Sequence, residues 1–375
     1  MTRRHICWLG AVLAACSTSS AASAVDAPRV TTAGAIAIAN LDHQIAQRGD
    51  DAIELLLTRS RFLGDYDALD RASALAEPHA QTAAELLQRA RTRSAVHRFA
   101  DALSDLATAE HAGARRDDVA ALRASILVAT GRAAEVVPQR EAGVARDPGF
   151  ASRSALAGAY AAVGRFADAD RLYVAALADL DTTSPFPYAW LYFARATMWA
   201  EQAGDPVRAE PLYRHALAHL PQFAAANIHL AELEAARGDL APAMARLDRV
   251  VVMTSEASEP EALALLGQLH LRIGDPYLGQ CEIDLAQQRY EALLARHPLA
   301  FVDHAAEFYL GPGDDADRAW GLAQQNLANR PTDRAVALAI KAARATGRTR
   351  ELCELAARPG AVAPPAAATL CPRIP

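Results

Sequence analysis

The chain has 375 residues, enough for two or three ordinary domains or for one long array of repeats. Its formal net charge of −6 argues against nucleic acid or an anionic membrane surface as the main partner, since both need a basic footprint. A hydrophobic content of 52% excludes a disordered polymer, and an aromatic content of 6% is low for a β-sandwich or β-barrel. Alanine dominates the apolar residues, which favours helix.

Residues 1–24 have the pattern of a bacterial export signal. Arg3 and Arg4 give a positive start, an apolar stretch follows over residues 6–15, and small residues end the segment. The apolar stretch is about half of the ~20 residues needed to cross a bilayer. No later segment is apolar over that length, so we predict no transmembrane helix.

Two processing sites compete within this signal. The sequence Leu13-Ala14-Ala15-Cys16 resembles the lipobox of bacterial lipoproteins, in which the cysteine is acylated and becomes the first residue. Cleavage after Ala24 would instead give a soluble protein. Both predict export to the periplasm, and the first, with Cys16 as the lipidation candidate, adds an anchor in the outer membrane. The sequence leaves the two open.

Residues 25–49 are expected to form a short capping segment, with a helix over 33–48. From residue 50 to 358 the chain then repeats with a period of about 34 residues. The period is clearest between Gly204 and Gly238 and between Ala209 and Ala243, two pairs with the same separation along the chain. Residues 359–375 are a tail rich in proline and alanine with no period.

The repeated unit resembles the tetratricopeptide repeat, two antiparallel helices with small residues where they cross. Ala157, Ala169 and Ala176 occupy the crossing positions, and a glycine such as Gly164 ends the first helix. A proline such as Pro221 ends the second helix, because it lacks an N–H and clashes with the preceding turn. The resemblance implies an all-α fold, a right-handed α-α superhelix of about nine helical hairpins. We expect a curved rod in which each hairpin contacts only its neighbours.

Two units depart from this pattern. The unit at 260–299 carries about seven extra residues, 275–281, which either lengthen its second helix or insert a loop. In the unit at 300–332, the segment 311–315 replaces the single turn glycine. Drift of loop length at a tolerant site explains both without a function.

The sequence gives little evidence of catalysis. It contains no zinc-protease, hydrolase, P-loop or dinucleotide motif, and Lys341 is its only lysine. His215 and His219 have a spacing that could chelate a metal, but no carboxylate or cysteine lies nearby in the frame. We therefore predict no enzyme activity, no cofactor and no metal.

Three cysteines follow the export signal, and thiols in the periplasm tend to be oxidised. We favour a bridge between Cys353 in the last helix and Cys371 in the tail, which closes a short loop. The chain-entropy model gives roughly 3 kcal/mol for a loop of this length. A bridge between Cys281 and Cys353, or no bridge, remain the alternatives.

The resemblance also implies a binding surface, since certain offsets of the first helices line the concave face in this family. The residues at those offsets are Arg91, Leu191, Arg195, Met198, Gln202, Glu232 and Gln268. They lack the lysine and asparagine pattern with which some members clamp the C-terminal carboxylate of a chaperone.

Three functions follow as hypotheses. The first is an exported scaffold that binds another, unidentified envelope protein or peptide in its concave face, without nucleic acid. The second is a small-ligand binder or enzyme that uses the region 275–284 with His270 and His304, for which a closed pocket would be evidence. The third is an anchoring subunit of a membrane-bound complex, for which Cys16 is the main indication.

Overall fold

A computed structural model describes residues 29–78, 80–253, 259–358 and Cys371. Within these residues the chain forms helices and turns and no β-strand. One helix precedes nine helical hairpins in the described ranges, which confirms an all-α superhelix of about nine hairpins. The predicted export signal, with Cys16 and the cleavage site after Ala24, lies outside the described residues, as does most of the tail.

The helices follow one another with short connections. The first is α1 (Gly34–Arg48), and a 3₁₀ turn joins it to the first hairpin. The first five hairpins are α2 (Ile53–Leu63) with α3 (Tyr66–Ala76), α4 (Ala83–Ala95) with α5 (Phe99–His111), α6 (Arg116–Ala129) with α7 (Ala133–Arg146), α8 (Phe150–Ala162) with α9 (Phe166–Asp179), and α10 (Pro185–Thr197) with α11 (Pro206–His219). The last four are α12 (Ala224–Arg237) with α13 (Leu240–Met253), α14 (Pro260–Ile273) with α15 (Pro276–Arg296), α16 (Val302–Leu310) with α17 (Ala316–Asn329), and α18 (Asp333–Ala345) with α19 (Thr349–Ala356).

Local chemistry explains how the hairpins start and stop. Gly238 ends α12 with φ 91°, a left-handed conformation that glycine adopts without strain, and its N–H bonds to the last turn of the helix. The second helices often begin at an aspartate. Asp205 accepts a hydrogen bond from the N–H of Arg208, and Asp275 accepts one from the N–H of Leu278.

Alanine makes the close crossings within the hairpins, as the repeat pattern predicts. Ala157, Ala169, Ala176 and Ala209 are all fully buried. A larger side chain at these places would push two helices apart, because protein cores are packed to the density of crystals.

The extra residues of the seventh unit lengthen a helix rather than form a loop. Helix α15 has 21 residues, against 14 in α14. The two helices cross at a pair of glycines, since a Cβ on Gly279 would lie 2.7 Å from the carbonyl oxygen of Gly267. At this distance only glycine fits.

The array does not remain an open rod, because its first hairpin packs against much later ones. The ring of Phe62 lies 5.0 Å from that of Phe186 and 4.9 Å from that of Phe223. The ring of Tyr66 lies 4.8 Å from that of Phe301. These aromatic residues lie at or next to the ends of their helices.

The second and third hairpins meet the end of the array in the same way. Nδ1 of His97 lies 3.2 Å from the carbonyl oxygen of Leu299, and Asn329 donates to the carbonyl of His97 at 3.0 Å. Gly131 approaches the carbonyl of Pro331 so closely that a Cβ would lie 2.6 Å from its oxygen. The expectation that each hairpin touches only its neighbours is therefore wrong, and one apolar core joins helices of both ends.

The structure places a disulfide between Cys353 and Cys371, the pairing favoured from the sequence. Cys281 is exposed and not bonded to another described cysteine. None of the helices in the described ranges is both long and apolar enough to cross a bilayer.

Candidate functional site

The first helices of five hairpins face a common interior. Arg334, on α18, donates to a carboxylate oxygen of Glu201 at 2.8 Å, although 133 residues separate them. Glu201 lies in the π-helical turn Met198–Gln202 that extends α10. We call this interior the concave face. The polar residues that meet on it, which we call the concave cluster, are Glu201, His229, Glu232, Glu261, His304, Glu307 and Arg334.

Ion pairs and hydrogen bonds link neighbours within the concave cluster. Nδ1 of His229 lies 3.0 Å from a carboxylate oxygen of Glu232, and its Nε2 lies 3.6 Å from Glu201. Arg334 also reaches Glu307, at 3.3 Å. His304 lies 3.4 Å from Glu261. All seven side chains keep part of their surface accessible, from 18% for His229 to 45% for Arg334.

The neighbouring carboxylates raise the pKa of both histidines. Burial lowers the pKa of His304, but Glu261 and Asp303 outweigh it and raise the pKa to about 10. Burial also opposes charge on His229, and Glu232 outweighs it, so this pKa is raised as well. Glu261 responds in the opposite direction, since His304 lowers its pKa to about 2 against the effect of burial. Four carboxyl groups therefore face Arg334 and two histidines whose pKa values are raised.

Glu259 lies behind the cluster, where the first and seventh hairpins meet. It is almost fully buried, and the hydroxyl of Tyr66 donates to its carboxyl group at 3.1 Å. Burial and the neighbouring Glu261 raise the pKa of Glu259 to about 7. Its φ of 23° is unusual for a residue other than glycine.

Aromatic rings support one side of the cluster. The rings of Tyr213 and His229 stack at 5.6 Å with an angle of 15° between their planes. Phe193 lies 5.7 Å from His229 and 4.8 Å from Phe223. Because Tyr213 is fully buried, the imidazole of His229 rests on a rigid support. The concave face thus offers a fixed polar surface that is supported from beneath by aromatic rings.

Three of the seven residues predicted to line the binding surface are exposed on the first helices that form the concave face. Glu232 is a member of the cluster, Gln202 follows Glu201 in the π-helical turn, and Gln268 lies on α14. Arg195 is also on α10, but its guanidinium group donates two hydrogen bonds to the carboxylate of Asp170, at 2.6 and 3.0 Å. Trp199 donates to the same carboxylate at 2.8 Å, so Arg195 is part of a structural network.

The structure corrects two of the predicted residues. Leu191 and Met198 are 0% and 1% exposed and cannot contact a partner. Both belong to the apolar core that also contains Phe62 of the first hairpin. Arg91 pairs at 3.3 Å with Glu54, within the first two hairpins. The family offsets therefore hold only in part.

Sequence reasoning did not select Glu201, Glu261, Glu307 or Arg334. Counting from the helix starts would have helped, since Glu261 and Arg334 are the second residues of α14 and α18. His229 and Glu307 are the sixth residues of α12 and α16. The bond between Arg334 and Glu201 has no such signal, because it depends on the curvature of the whole array.

The structure brings together only part of the alternative ligand site. His270 lies 2.6 Å from Glu282, which belongs to the region 275–284, whereas His304 pairs with Glu261. Two clefts, of about 400 and 330 Å³, lie elsewhere, the larger beside Arg93 and His297 and the smaller beside Asp42 and Arg71.

The histidine pair at 215 and 219 has a packing role. His219 is buried and stacks on Tyr188 at 4.9 Å, while His215 stacks on Tyr192 at 5.1 Å. In the described part of the chain no group of three or more histidine, cysteine or acidic residues is arranged to hold a metal ion.

Comparison with known proteins supports the assignment of a tetratricopeptide repeat in the part of the chain that carries much of the concave cluster. Residues 200–269 match the family model of the tetratricopeptide repeat. This segment runs from the π-helical turn into α14 and includes Glu201, His229, Glu232 and Glu261. No curated protein matches the chain.

Solved structures show a similar but distant architecture. A chain in the crystal structure of the APC/C hetero-tetramer Cut9-Hcn1 is 18% identical to this one, with a TM-score of 0.46, over 82% of this chain and 58% of the other. A tetratricopeptide repeat protein from Parabacteroides merdae is 14% identical with a TM-score of 0.40, over 71% of this chain and 99% of the other. The human IFIT1 dimer with m7Gppp-AAAA is 14% identical with a TM-score of 0.41, over 87% and 82%. At these values the likenesses give no argument about what this chain binds, and the chain spans little more than half of the first of them.

Proposed function

We propose that this protein is an exported scaffold that binds a segment of another envelope protein in its concave face. One observation carries the proposal: five hairpins direct polar side chains of both signs to a single partly accessible surface. A surface built from successive hairpins is extended, and it suits a chain segment better than a compact small molecule.

The arrangement favours recognition over catalysis. The charged groups of the concave cluster pair with one another, and the side chains that could act as acid or base are held in ion pairs. A partner segment would exchange these pairs for its own charges, which gives specificity more than affinity. Two exposed glutamines add uncharged hydrogen-bond donors and acceptors: Gln202 in the π-helical turn after α10, and Gln268 on α14.

Crosslinking from defined positions tests the proposal. A photo-reactive residue at Gln202 or Gln268 should give one stoichiometric crosslinked partner in the native host. The same residue at Ala218, exposed on α11, should not give it. Arg334→Glu, which places a fifth carboxylate in the cluster, should abolish the product. Equal products from all three positions, or a product insensitive to Arg334→Glu, would contradict a concave binding site.

The export part of the proposal rests on residues 1–24 and has its own test. Radiolabelled palmitate should label the protein in the native host, and Cys16→Ser should remove the label. A secreted, unlabelled protein that begins at Val25 would favour the soluble alternative.

A further inference from the structure

Exposed apolar side chains are concentrated at one place on the surface. Five large apolar residues with exposed side chains lie within residues 271–285, at the end of α14 and the start of α15. They are Leu271, Ile273, Tyr277, Leu278 and Leu285, with Tyr277 the most exposed at 81%. Apolar patches on monomeric proteins are usually small, and a concentration of this kind marks an interaction surface.

The patch has a regular centre on α15. Tyr277, Cys281 and Leu285 are spaced by four residues and therefore lie on one face of the helix, which we call the α15 stripe. The stripe itself carries no charge. Asp284, an acidic residue beside Leu285, accepts a hydrogen bond from Gln280 at 2.8 Å.

The patch exists because the helix is longer than its neighbours. Gly279 meets Gly267 in the first turn of α15, and the other residues from 271 to 281 are exposed. Within the described residues, nothing in the array covers this face.

We propose that the α15 stripe binds a second copy of this chain, with the two helices antiparallel about a two-fold axis at Cys281. In this arrangement Tyr277 contacts Leu285 of the partner subunit, and the reverse contact is identical by symmetry. No like charges oppose each other along the stripe, and the two thiols meet at its centre.

The thiol is the reason to choose a second copy over another partner. Among the described cysteines, Cys353 and Cys371 are bonded to each other, and Cys281 is an exposed free thiol in the middle of the stripe. A leftover cysteine in an exported protein is typical of an intermolecular bridge, so the choice of a second copy rests on the export proposed above. A bridge needs Cα atoms within roughly 4.4–6.8 Å, which a close helix crossing at Cys281 provides.

The area of the stripe defines what kind of dimer forms. A few side chains bury far less than the ~800 Å² per partner of a standard interface. The non-covalent dimer is therefore weak, and the disulfide makes it permanent. In that step a disulfide oxidant such as oxidised glutathione is reduced to two thiols, while the two Cys281 thiols lose two protons and two electrons and form one S–S bond.

The test measures covalent and non-covalent association separately. The purified protein with oxidised glutathione should give a dimer on a non-reducing gel, and Cys281→Ser should give none. Under reducing conditions and at high concentration, sedimentation should show that the unaltered protein and Cys281→Ser both associate into dimers. The double variant Tyr277→Asp with Leu285→Asp should weaken that association at least tenfold and slow covalent dimer formation by a similar factor.

Val207→Asp is the matched control, because Val207 is also 81% exposed but lies on α11. It should behave like the unaltered protein. All altered side chains are exposed, and unchanged circular dichroism will show that the variants fold. Covalent dimers in Cys281→Ser, an unchanged rate in the double variant, or a monomer that only forms a mixed disulfide with glutathione would each overturn the proposal.

Discussion

Glu259 lies at a contact that closes the array, between the first and seventh hairpins. Its carboxyl group is buried between Tyr66 of the first hairpin and Glu261 of the seventh, with His304 nearby. The folded state holds the proton of this group up to a pH of about 7, whereas an unfolded glutamate releases it near 4.5. Unfolding therefore releases a proton between these values, and the stability of the fold decreases as pH rises through this range.

Replacing this carboxyl group with a neutral amide should remove the penalty. Glu259→Gln should stabilise the protein by about 1 to 3 kcal/mol at pH 8 and change little at pH 4.5, since one pKa unit corresponds to about 1.4 kcal/mol. Urea unfolding at the two pH values measures the difference. Glu54→Gln, which removes an exposed carboxyl group of the first hairpin, should change stability by less than about 0.5 kcal/mol at both pH values. A less stable Glu259→Gln at pH 8 would show that the charged form is favoured.

Ala209 shows how tightly the hairpins cross. It is fully buried between α10 and α11, so Ala209→Leu should cost about 1 to 3 kcal/mol by overpacking. Ala218→Leu, the same change at an exposed position of the same helix, should be within about 0.5 kcal/mol of neutral. Thermal unfolding compares the two, and equal shifts would mean that Ala209 does not lie at a close contact.

At the scale of the elements, the crossing of α14 and α15 determines where the exposed patch projects. The glycines at this crossing allow two helices to approach at backbone distance, and the carbonyl oxygen of Gly267 occupies the place of a side chain on Gly279. The close approach fixes the direction in which the longer helix leaves the array.

A single methyl group should therefore be costly at one glycine and favourable at another. Gly279→Ala should destabilise the protein by about 1 to 3 kcal/mol, because backbone atoms cannot move away as easily as a side chain. Gly321→Ala in α17 meets open space and should stabilise it by about 0.5 to 1 kcal/mol, as alanine does inside a helix. Chemical denaturation checks both, and a neutral Gly279→Ala would show that the helices cross less closely.

On the scale of the whole molecule, closure of the array distinguishes this protein from an open repeat rod. Contacts of Phe62 with Phe186 and Phe223 join the first hairpin to the fifth and sixth, and the bond from Arg334 to Glu201 joins the fifth to the ninth. The stability of the ends is therefore coupled, unlike that of a repeat array in which only neighbours interact.

Removing a closing contact should open the molecule as well as destabilise it. Phe62→Ala should cost about 3 to 5 kcal/mol and increase the radius of gyration measured by X-ray scattering, because the first hairpin loses its distant contacts. Leu106→Ala is the control: Leu106 is also buried, in the apolar cluster of α4, α5 and α6. It should cost a similar amount without expanding the folded protein. Expansion in both variants would mean that closure does not depend on Phe62.

The sequence alone was sufficient for everything that depends on neighbours along the chain. The repeat period, the buried alanines and the turn glycines follow from contacts between adjacent helices, and they predicted the hairpins correctly. Cys353 and Cys371 are also close in sequence, and the favoured pairing coincides with the bridge in the structure.

Only the tertiary structure decided which surfaces remain accessible. Small rotations between successive hairpins accumulate into the curvature that brings Arg334 to Glu201, and no single repeat encodes that sum. The structure also buries Leu191 and Met198, which a pattern read within one repeat places on the binding surface. A local pattern fixes what each helix presents, but the long-range geometry determines whether a partner can reach it.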